Sequence, residues 1–119
     1  MEQSLTKSEI LYLLAVETIG ETGKIAEKLH VAKSSVSRAL DNLYGKHLVV
    51  RKTGGAELSS KGAELAVLYR VCIEHIEKAL LERGFQERGL LDIACGIAAS
   101  FGTEIEVLYR KIKEDNLCL

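Results

Sequence analysis

The sequence predicts a mainly α chain in which three short helices precede a two-stranded hairpin and three further helices. Between residues 22 and 48 apolar side chains recur at helical spacing, and they are Ile25, Ala26, Leu29, Val31, Val36, Leu40, Leu43 and Leu48. Two short β-prone runs then meet at Gly54 and Gly55. This order predicts a winged helix-turn-helix with a short β-hairpin wing, followed by a helical dimerisation domain.

The first three helices are predicted from apolar runs separated by glycines. The run Ile10 to Val16 fits a helix over about residues 5–19, which Gly20 and Gly23 end. A second helix is predicted over about residues 22–30 with Thr22 as its N-cap. A third is predicted from about Lys33 to Tyr44, with Gly45 as its left-handed terminator.

The hairpin and the C-terminal helices follow. The runs 48–52 and 56–59 predict the two strands, joined through residues 53–55. Apolar spacing then predicts helices over about 60–83, ended by Gly84, and over about 87–99 and 103–114. We expect a DNA-binding domain over residues 1–61 and a dimerisation domain over residues 62–119. The second domain has more apolar faces than so small a unit can bury alone, which predicts a homodimer.

Composition narrows the class of protein. In 119 residues there is no apolar run of the ~20 residues that a membrane helix needs, so we expect a cytoplasmic protein with no membrane partner. The three cysteines, Cys72, Cys95 and Cys118, are odd in number and share no CxxC spacing. Neither a disulfide framework nor a zinc knuckle is therefore indicated.

The charge pattern indicates a nucleic-acid partner despite a net charge of -1. Residues 24–61 hold eight Lys and Arg side chains against three acidic ones, a net charge of +5. The segments before and after each carry -3. The basic excess therefore coincides with the helix-turn-helix, as expected of a surface that contacts phosphates. An ordinary solvated run of charges is the alternative interpretation.

Double-stranded DNA is the predicted partner, and seven residues are predicted to contact it. An Arg near the start of a helix in the major groove can pair with guanine, and short hydroxyls can bind phosphates or bases. The third helix would be the reading element, with basic wing residues on the adjacent backbone. The predicted contacts are Lys33, Ser34, Ser35, Ser37, Arg38, Arg51 and Lys52. The alternative for the serines is that they only cap and solvate the helix.

Four segments of the chain carry a resemblance to a known family. They are IAEKLHVAKSSVSRALDNLYGKHLV, GGAELSSKG, YRVCIEHIEKALLERGF and LLDIACGIAASFGTEIEVLYRKI. In this order they are similar to the helix-turn-helix, the wing and the dimerisation helices of the family of the diphtheria toxin repressor and the manganese transport regulator (DtxR/MntR). The resemblance implies a DNA-binding transcription regulator, most simply a repressor, that acts as a homodimer.

The resemblance also implies that the usual Mn²⁺ or Fe²⁺ site is lost. The family's fifth-helix ligand run reads here from Cys95 to Ala98 and Ala99, so one ligand remains and two are alanines. Alanine offers no lone pair to a metal ion. We therefore do not expect Mn²⁺ or Fe²⁺ as a cofactor. A site for a softer transition metal, formed by Cys95, Cys72 and His75, is one alternative. A redox-sensing thiol of low pKa is another.

Two other functions fit the same pattern. One is a MarR-like regulator that answers a small organic ligand at its dimer interface. The other is a winged-helix module that binds protein rather than DNA. We do not expect an enzyme, because no catalytic arrangement of Ser, His, Cys or paired carboxylates stands out and no glycine-rich phosphate loop follows a strand.

Overall fold

A computed structural model describes residues 4–117 of the chain, with side chains described for residues 4–115. The predicted fold class is confirmed, because the described chain is mainly helical with a single two-stranded antiparallel hairpin. In chain order its elements are α1 (Lys7–Thr18), α2 (Thr22–Leu29), α3 (Lys33–Gly45), β1 (Val49–Lys52), β2 (Gly55–Leu58), α4 (Ser60–Glu82), α5 (Leu90–Ser100), a short 3-10 helix (Gly102–Glu104) and α6 (Ile105–Leu117).

The chain divides into two compact units. One is Leu11–Ala66, which holds α2, α3 and the hairpin, and the other joins residues 4–10 to the chain after residue 66. Helices α1 and α4 each have residues in both units. The domain boundary expected at residues 61 and 62 stays a prediction.

Helix α1 begins two residues later than predicted because Thr6 and Glu9 form a capping box. The Glu9 carboxylate accepts the Thr6 backbone N–H at 2.9 Å, and the Thr6 hydroxyl accepts the Glu9 N–H at 3.2 Å. Two amides at the helix start are thereby satisfied, which fixes the first helical residue as Lys7.

Helix α2 begins without the predicted Thr22 cap. Glu21 holds the N-cap position in extended conformation, and no side chain caps the helix. Thr22 is the first helical residue, and its N–H donates to the Gly54 carbonyl at 2.8 Å. The prediction was wrong because the hairpin, distant in sequence, satisfies this amide.

A histidine in the left-handed region follows each of the helices α2 and α3. His30 has φ 57° and His47 has φ 65°, whereas Gly45, predicted to end α3, is its last helical residue. After His30, the Val31 N–H bonds the Ala26 carbonyl at 3.0 Å; after His47, the Leu48 N–H bonds the Leu43 carbonyl at 3.0 Å. Both ends are Schellman turns, and histidine tolerates this conformation better than most side chains.

Most of the predicted helix-turn-helix core is buried, with two exceptions. Val31 is 39% exposed, and Leu29 is half-buried. The Schellman turn after α2 directs Val31 away from the core of its unit. The fully buried aliphatic side chains of this unit are Leu13, Ile25, Val36, Leu40, Leu43, Leu48 and Leu65.

The hairpin differs from the prediction by one residue, because β1 begins one residue later and β2 lies one residue earlier. Val49 pairs with Leu58 and Lys52 pairs with Gly55, so the loop is only Thr53 and Gly54. Gly54 has φ 77°, a conformation that glycine adopts without strain. The first strand begins at Val49 rather than Leu48 because Leu48 belongs to the turn that ends α3.

The second unit has a helical core. Helix α4 has nearly its predicted bounds, whereas α5 begins at Leu90 rather than near residue 87, after Gly89 in a left-handed conformation. The Tyr69 side chain is 1% exposed, and its hydroxyl oxygen accepts the Leu5 N–H at 3.2 Å. In the described part of the chain, no helix has the length and apolar character needed to span a bilayer.

Candidate nucleic-acid interface

Three of the predicted contact residues on α3 present exposed side chains. Lys33, Ser34 and Arg38 are exposed, and Ser35 and Ser37 are half-buried. Ser34 and Arg38 are four residues apart and therefore share one helical face. Neither Lys33 nor Arg38 forms an ion pair with another residue of the described chain. Their charges are available to an external anion.

The serines do not cap α3. The N-cap position is held by Ala32, and no side chain caps the helix start. The Ser35 N–H bonds the Ala32 carbonyl at 3.0 Å, so the first turn closes through backbone alone. The serines therefore do not cap the helix, and Ser34 is exposed to solvent.

The wing, defined here as β1, β2 and their loop, is attached to the rest of its unit by backbone hydrogen bonds. The Ala56 N–H donates to the Gly20 carbonyl at 2.9 Å, beside the Thr22 to Gly54 bond described above. A Cβ on Gly55 would lie 2.2 Å from the Gly20 carbonyl oxygen, so this approach requires glycine. The wing therefore lies against the turn between α1 and α2.

The end of the wing is attached through Ser59. Its hydroxyl donates to the His47 carbonyl at 2.7 Å and accepts the Gly62 N–H at 3.0 Å. A Cβ on Gly62 would lie 1.8 Å from the Leu48 carbonyl oxygen. The start of α4 therefore approaches the end of the α3 turn so closely that only glycine fits.

The two basic wing residues have different surroundings. The Lys52 ammonium lies 3.6 Å from the Glu57 carboxylate across the hairpin, and both side chains are more than half exposed. The Arg51 side chain is only 30% exposed, and its Nη1 donates to the Asp41 carboxylate and to the Ser37 carbonyl at 3.3 Å. Arg51 therefore joins β1 to α3, a contact that sequence spacing did not predict.

An open cleft lies beside the wing within the same unit. Its volume is about 900 Å³, and its lining includes Lys33, Lys52, Gly54, Glu17 and Glu21. Both lysines predicted to contact DNA thus border one concave surface between α2, α3 and the hairpin. The lining carries both signs of charge, so the cleft itself is not selective for anions.

The candidate metal ligands are not brought together as a site. Cys72 and Cys95 are fully buried, whereas His75 is exposed. The Cys72 thiol donates to the Ile105 carbonyl at 3.8 Å, which gives it a partner within its unit. Among the residues with described side chains, no three His, Cys, Asp or Glu side chains are close enough to hold a metal ion.

The buried thiols also lack the properties of a redox sensor. Burial raises the pKa of the Cys72 thiol to about 11. Burial, with smaller effects of Glu77 and Asp92, raises the pKa of Cys95 to about 11 as well. A reactive cysteine needs a lowered pKa and access to solvent, so neither thiol qualifies. The third cysteine, Cys118, lies outside the described residues.

Comparison with known proteins agrees with the fold and with a winged-helix transcription regulator. Residues 4–54 match the MarR family, a family of winged-helix transcription regulators. The match supports a winged-helix DNA-binding transcription regulator; it does not support the DtxR/MntR family that the sequence resembles.

The solved structures include one that matches over most of both chains. It is the crystal structure of the hypothetical protein SSo2273 from Sulfolobus solfataricus, with 25% sequence identity and a TM-score of 0.58. The match covers 92% of this chain and 88% of that one. No curated protein matches the sequence.

Proposed function

We propose that the chain is a MarR-like, sequence-specific DNA-binding transcription regulator that acts as a homodimer. The observation that carries this proposal is the exposed basic face of α3, with Lys33, Ser34 and Arg38 unpaired inside the described chain and flanked by the wing. The match of residues 4–54 to the MarR family supports it independently of that face.

In this proposal α3 enters the major groove and the wing contacts the adjacent backbone. Arg38 reads guanine through its forked donors, and Ser34 on the same face bonds a phosphate or a base edge. Lys33 and Lys52 neutralise phosphates, which fits their exposed side chains. Ser35 and Ser37 are half-buried, so we assign them to the flank of the contact rather than its centre.

A homodimer is proposed because the second unit exposes large apolar side chains. Leu81, Phe85, Leu91 and Ile93 are each more than 40% exposed. Ile76 and Ile105 of the same unit, in contrast, are buried within their own chain. A twofold copy would cover the exposed residues and would present two α3 helices to the half-sites of a palindromic operator. Sedimentation equilibrium at tens of micromolar, the concentration range of usual binding assays, measures this directly, and a monomer there would contradict the dimer.

Selection of duplexes from a random pool, followed by affinity measurements at several salt concentrations, tests the function. Arg38→Ala should relax base preference at one position of each half-site and cost about 1–3 kcal/mol of operator binding. Arg110→Ala removes the same charge from an exposed arginine of the other unit, outside the segment 81–93, and it is the matched control that should bind as the wild type does. Unchanged base preference in Arg38→Ala would refute the assigned role.

A winged-helix module that binds protein is the second candidate. It is favoured by the same exposed apolar residues of the second unit, because they could meet another protein instead of a second copy. Failure of the wild type to bind any duplex at low salt would favour this candidate. We propose binding rather than catalysis in either case, and a cytoplasmic location and repression of target genes stay predictions.

A further inference from the structure

We infer that Arg51 is a positioning residue that fixes the wing against α3, and that it does not contact phosphate. This inference rests on the proposed function, because its effect is measured on DNA binding. It concerns three residues of one unit: Arg51 on β1, and Ser37 and Asp41 on α3.

The geometry commits the guanidinium to α3. Its Nη1 donates to both the Asp41 carboxylate and the Ser37 carbonyl, which are four residues apart on α3. The Nε atom is buried without a partner in the described chain, so this part of the group faces protein rather than solvent. The neighbouring Lys52, in contrast, has a side chain that is 52% exposed. An arginine held in this way has little freedom to reach a phosphate.

The position of Asp41 gives the contact a second consequence. Asp41 is three residues after Arg38 and its side chain is 68% exposed, so its carboxylate lies near the face of α3 that carries the proposed DNA contacts. A lone carboxylate there would repel phosphates. Pairing with Arg51 neutralises this charge and also sets the distance between α3 and the hairpin.

The two roles of Arg51 predict opposite effects for Asp41→Ala. If Arg51 binds phosphate, removing the acid strengthens DNA binding, because it frees the guanidinium and deletes a negative charge. If Arg51 positions the wing, removing the acid weakens binding even though a negative charge is lost. Asp41→Ala removes no positive charge, so weaker DNA binding by this variant cannot be a simple electrostatic effect.

The experiment measures operator affinity and its salt dependence for the wild type, Arg51→Ala, Arg51→Lys, Asp41→Ala and the double alanine variant. Arg51 and Asp41 contact each other, so their substitutions should not have additive effects on DNA binding. We expect each single alanine substitution to weaken operator binding about 10-fold and the double variant to bind no more weakly than either single variant. Arg51→Lys should also weaken binding, because lysine keeps the charge but lacks the forked donors. The salt slope should stay as in the wild type, whereas Lys33→Ala should lower it by about 0.9, the contribution of one phosphate.

A measurement without DNA separates the inference from the proposed function. Amide hydrogen exchange of residues 49–58 should be faster in Asp41→Ala and Arg51→Ala than in the wild type. Urea unfolding of both variants checks that they are fully folded under the conditions of this measurement. Unchanged exchange overturns the inference whether or not the protein binds DNA. A salt slope lowered by about 0.9 in Arg51→Ala, together with tighter binding by Asp41→Ala, also overturns it. Absence of duplex binding by the wild type contradicts the proposed function instead.

Discussion

Substitution of Gly62 by alanine should destabilise the protein strongly, although alanine is the better helix former. Gly62 lies in the first turn of α4, where alanine would otherwise stabilise the helix by about 0.5–1 kcal/mol. The new Cβ, however, would lie 1.8 Å from the Leu48 carbonyl oxygen and 2.8 Å from its carbon. These are backbone atoms, so no side-chain rotation relieves the overlap.

The expected cost follows from the displacement that this overlap demands. The start of α4 or the turn at Leu48 must move by more than an ångström, which disrupts the Ser59 bonds to His47 and Gly62. We expect the free energy of unfolding to fall by about 3 kcal/mol or more, which is the upper end of the usual cost of an overpacking substitution. For 119 residues this corresponds to a fall in melting temperature of about 12 °C.

Urea unfolding followed by circular dichroism measures this free energy, and Gly45→Ala is the matched control. Gly45 is helical, and a Cβ there meets nothing within 4 Å. The same substitution should therefore be neutral or stabilise by up to about 1 kcal/mol. Equal effects of the two substitutions, or a Gly62→Ala variant as stable as the wild type, would refute the proposed close approach of α4 to the Leu48 carbonyl.

Four further predictions concern buried side chains of the second unit and the effect of metal ions. Tyr69→Phe should cost about 1–3 kcal/mol in urea unfolding, because the buried Leu5 amide loses its acceptor; a neutral change would contradict that bond. In a Cys118→Ser background, Cys72 and Cys95 should not react with a thiol reagent at pH 8 until the protein unfolds. Because burial raises both of their pKa values from 9.0 to about 11, the folded protein favours the neutral thiols. Their contribution to stability should therefore be complete below pH 9 and be lost as the pH rises through about 11, which urea midpoints across that range would measure. Finally, neither Mn²⁺ nor Fe²⁺ should change operator affinity of the chelated protein; a saturable gain of about 1 kcal/mol would show a functional metal site.

Local signals in the sequence account for much of the fold. The glycine-centred hairpin and the periodic run of α4 depend on neighbouring residues, and their elements lie within a residue or so of the predicted bounds. The capping box at Thr6 was also readable, because Thr-Lys-Ser-Glu is its usual pattern. A prediction of α1 from its apolar run alone missed that start signal.

Long-range contacts account for what the sequence could not predict. Thr22 has the side chain of an N-cap, but its amide is satisfied by a hairpin 32 residues away along the chain. Asp41 and Arg51 are ten residues apart, and nothing in their spacing indicates that strand β1 turns the guanidinium towards α3. The basic charge of residues 24–61 predicts an exposed cationic surface, and Lys33 and Arg38 are exposed, yet counting charges could not separate Lys33, which is unpaired, from Arg51, which is held.

The attachment of the wing to the turn before α2 has a consequence for self-association. A two-stranded sheet has two open edges, and each is a template onto which a strand of another molecule can add. Here the outer edge of β2 is already occupied, because Gly20 and Thr22 bond to Ala56 and Gly54, with Glu21 bridging to Gly55. Among the described residues the β1 edge alone remains for another strand, and that edge ends in two basic residues, Arg51 and Lys52. The contacts that fix the wing therefore also cover one of the two edges through which the hairpin could add a strand of another molecule.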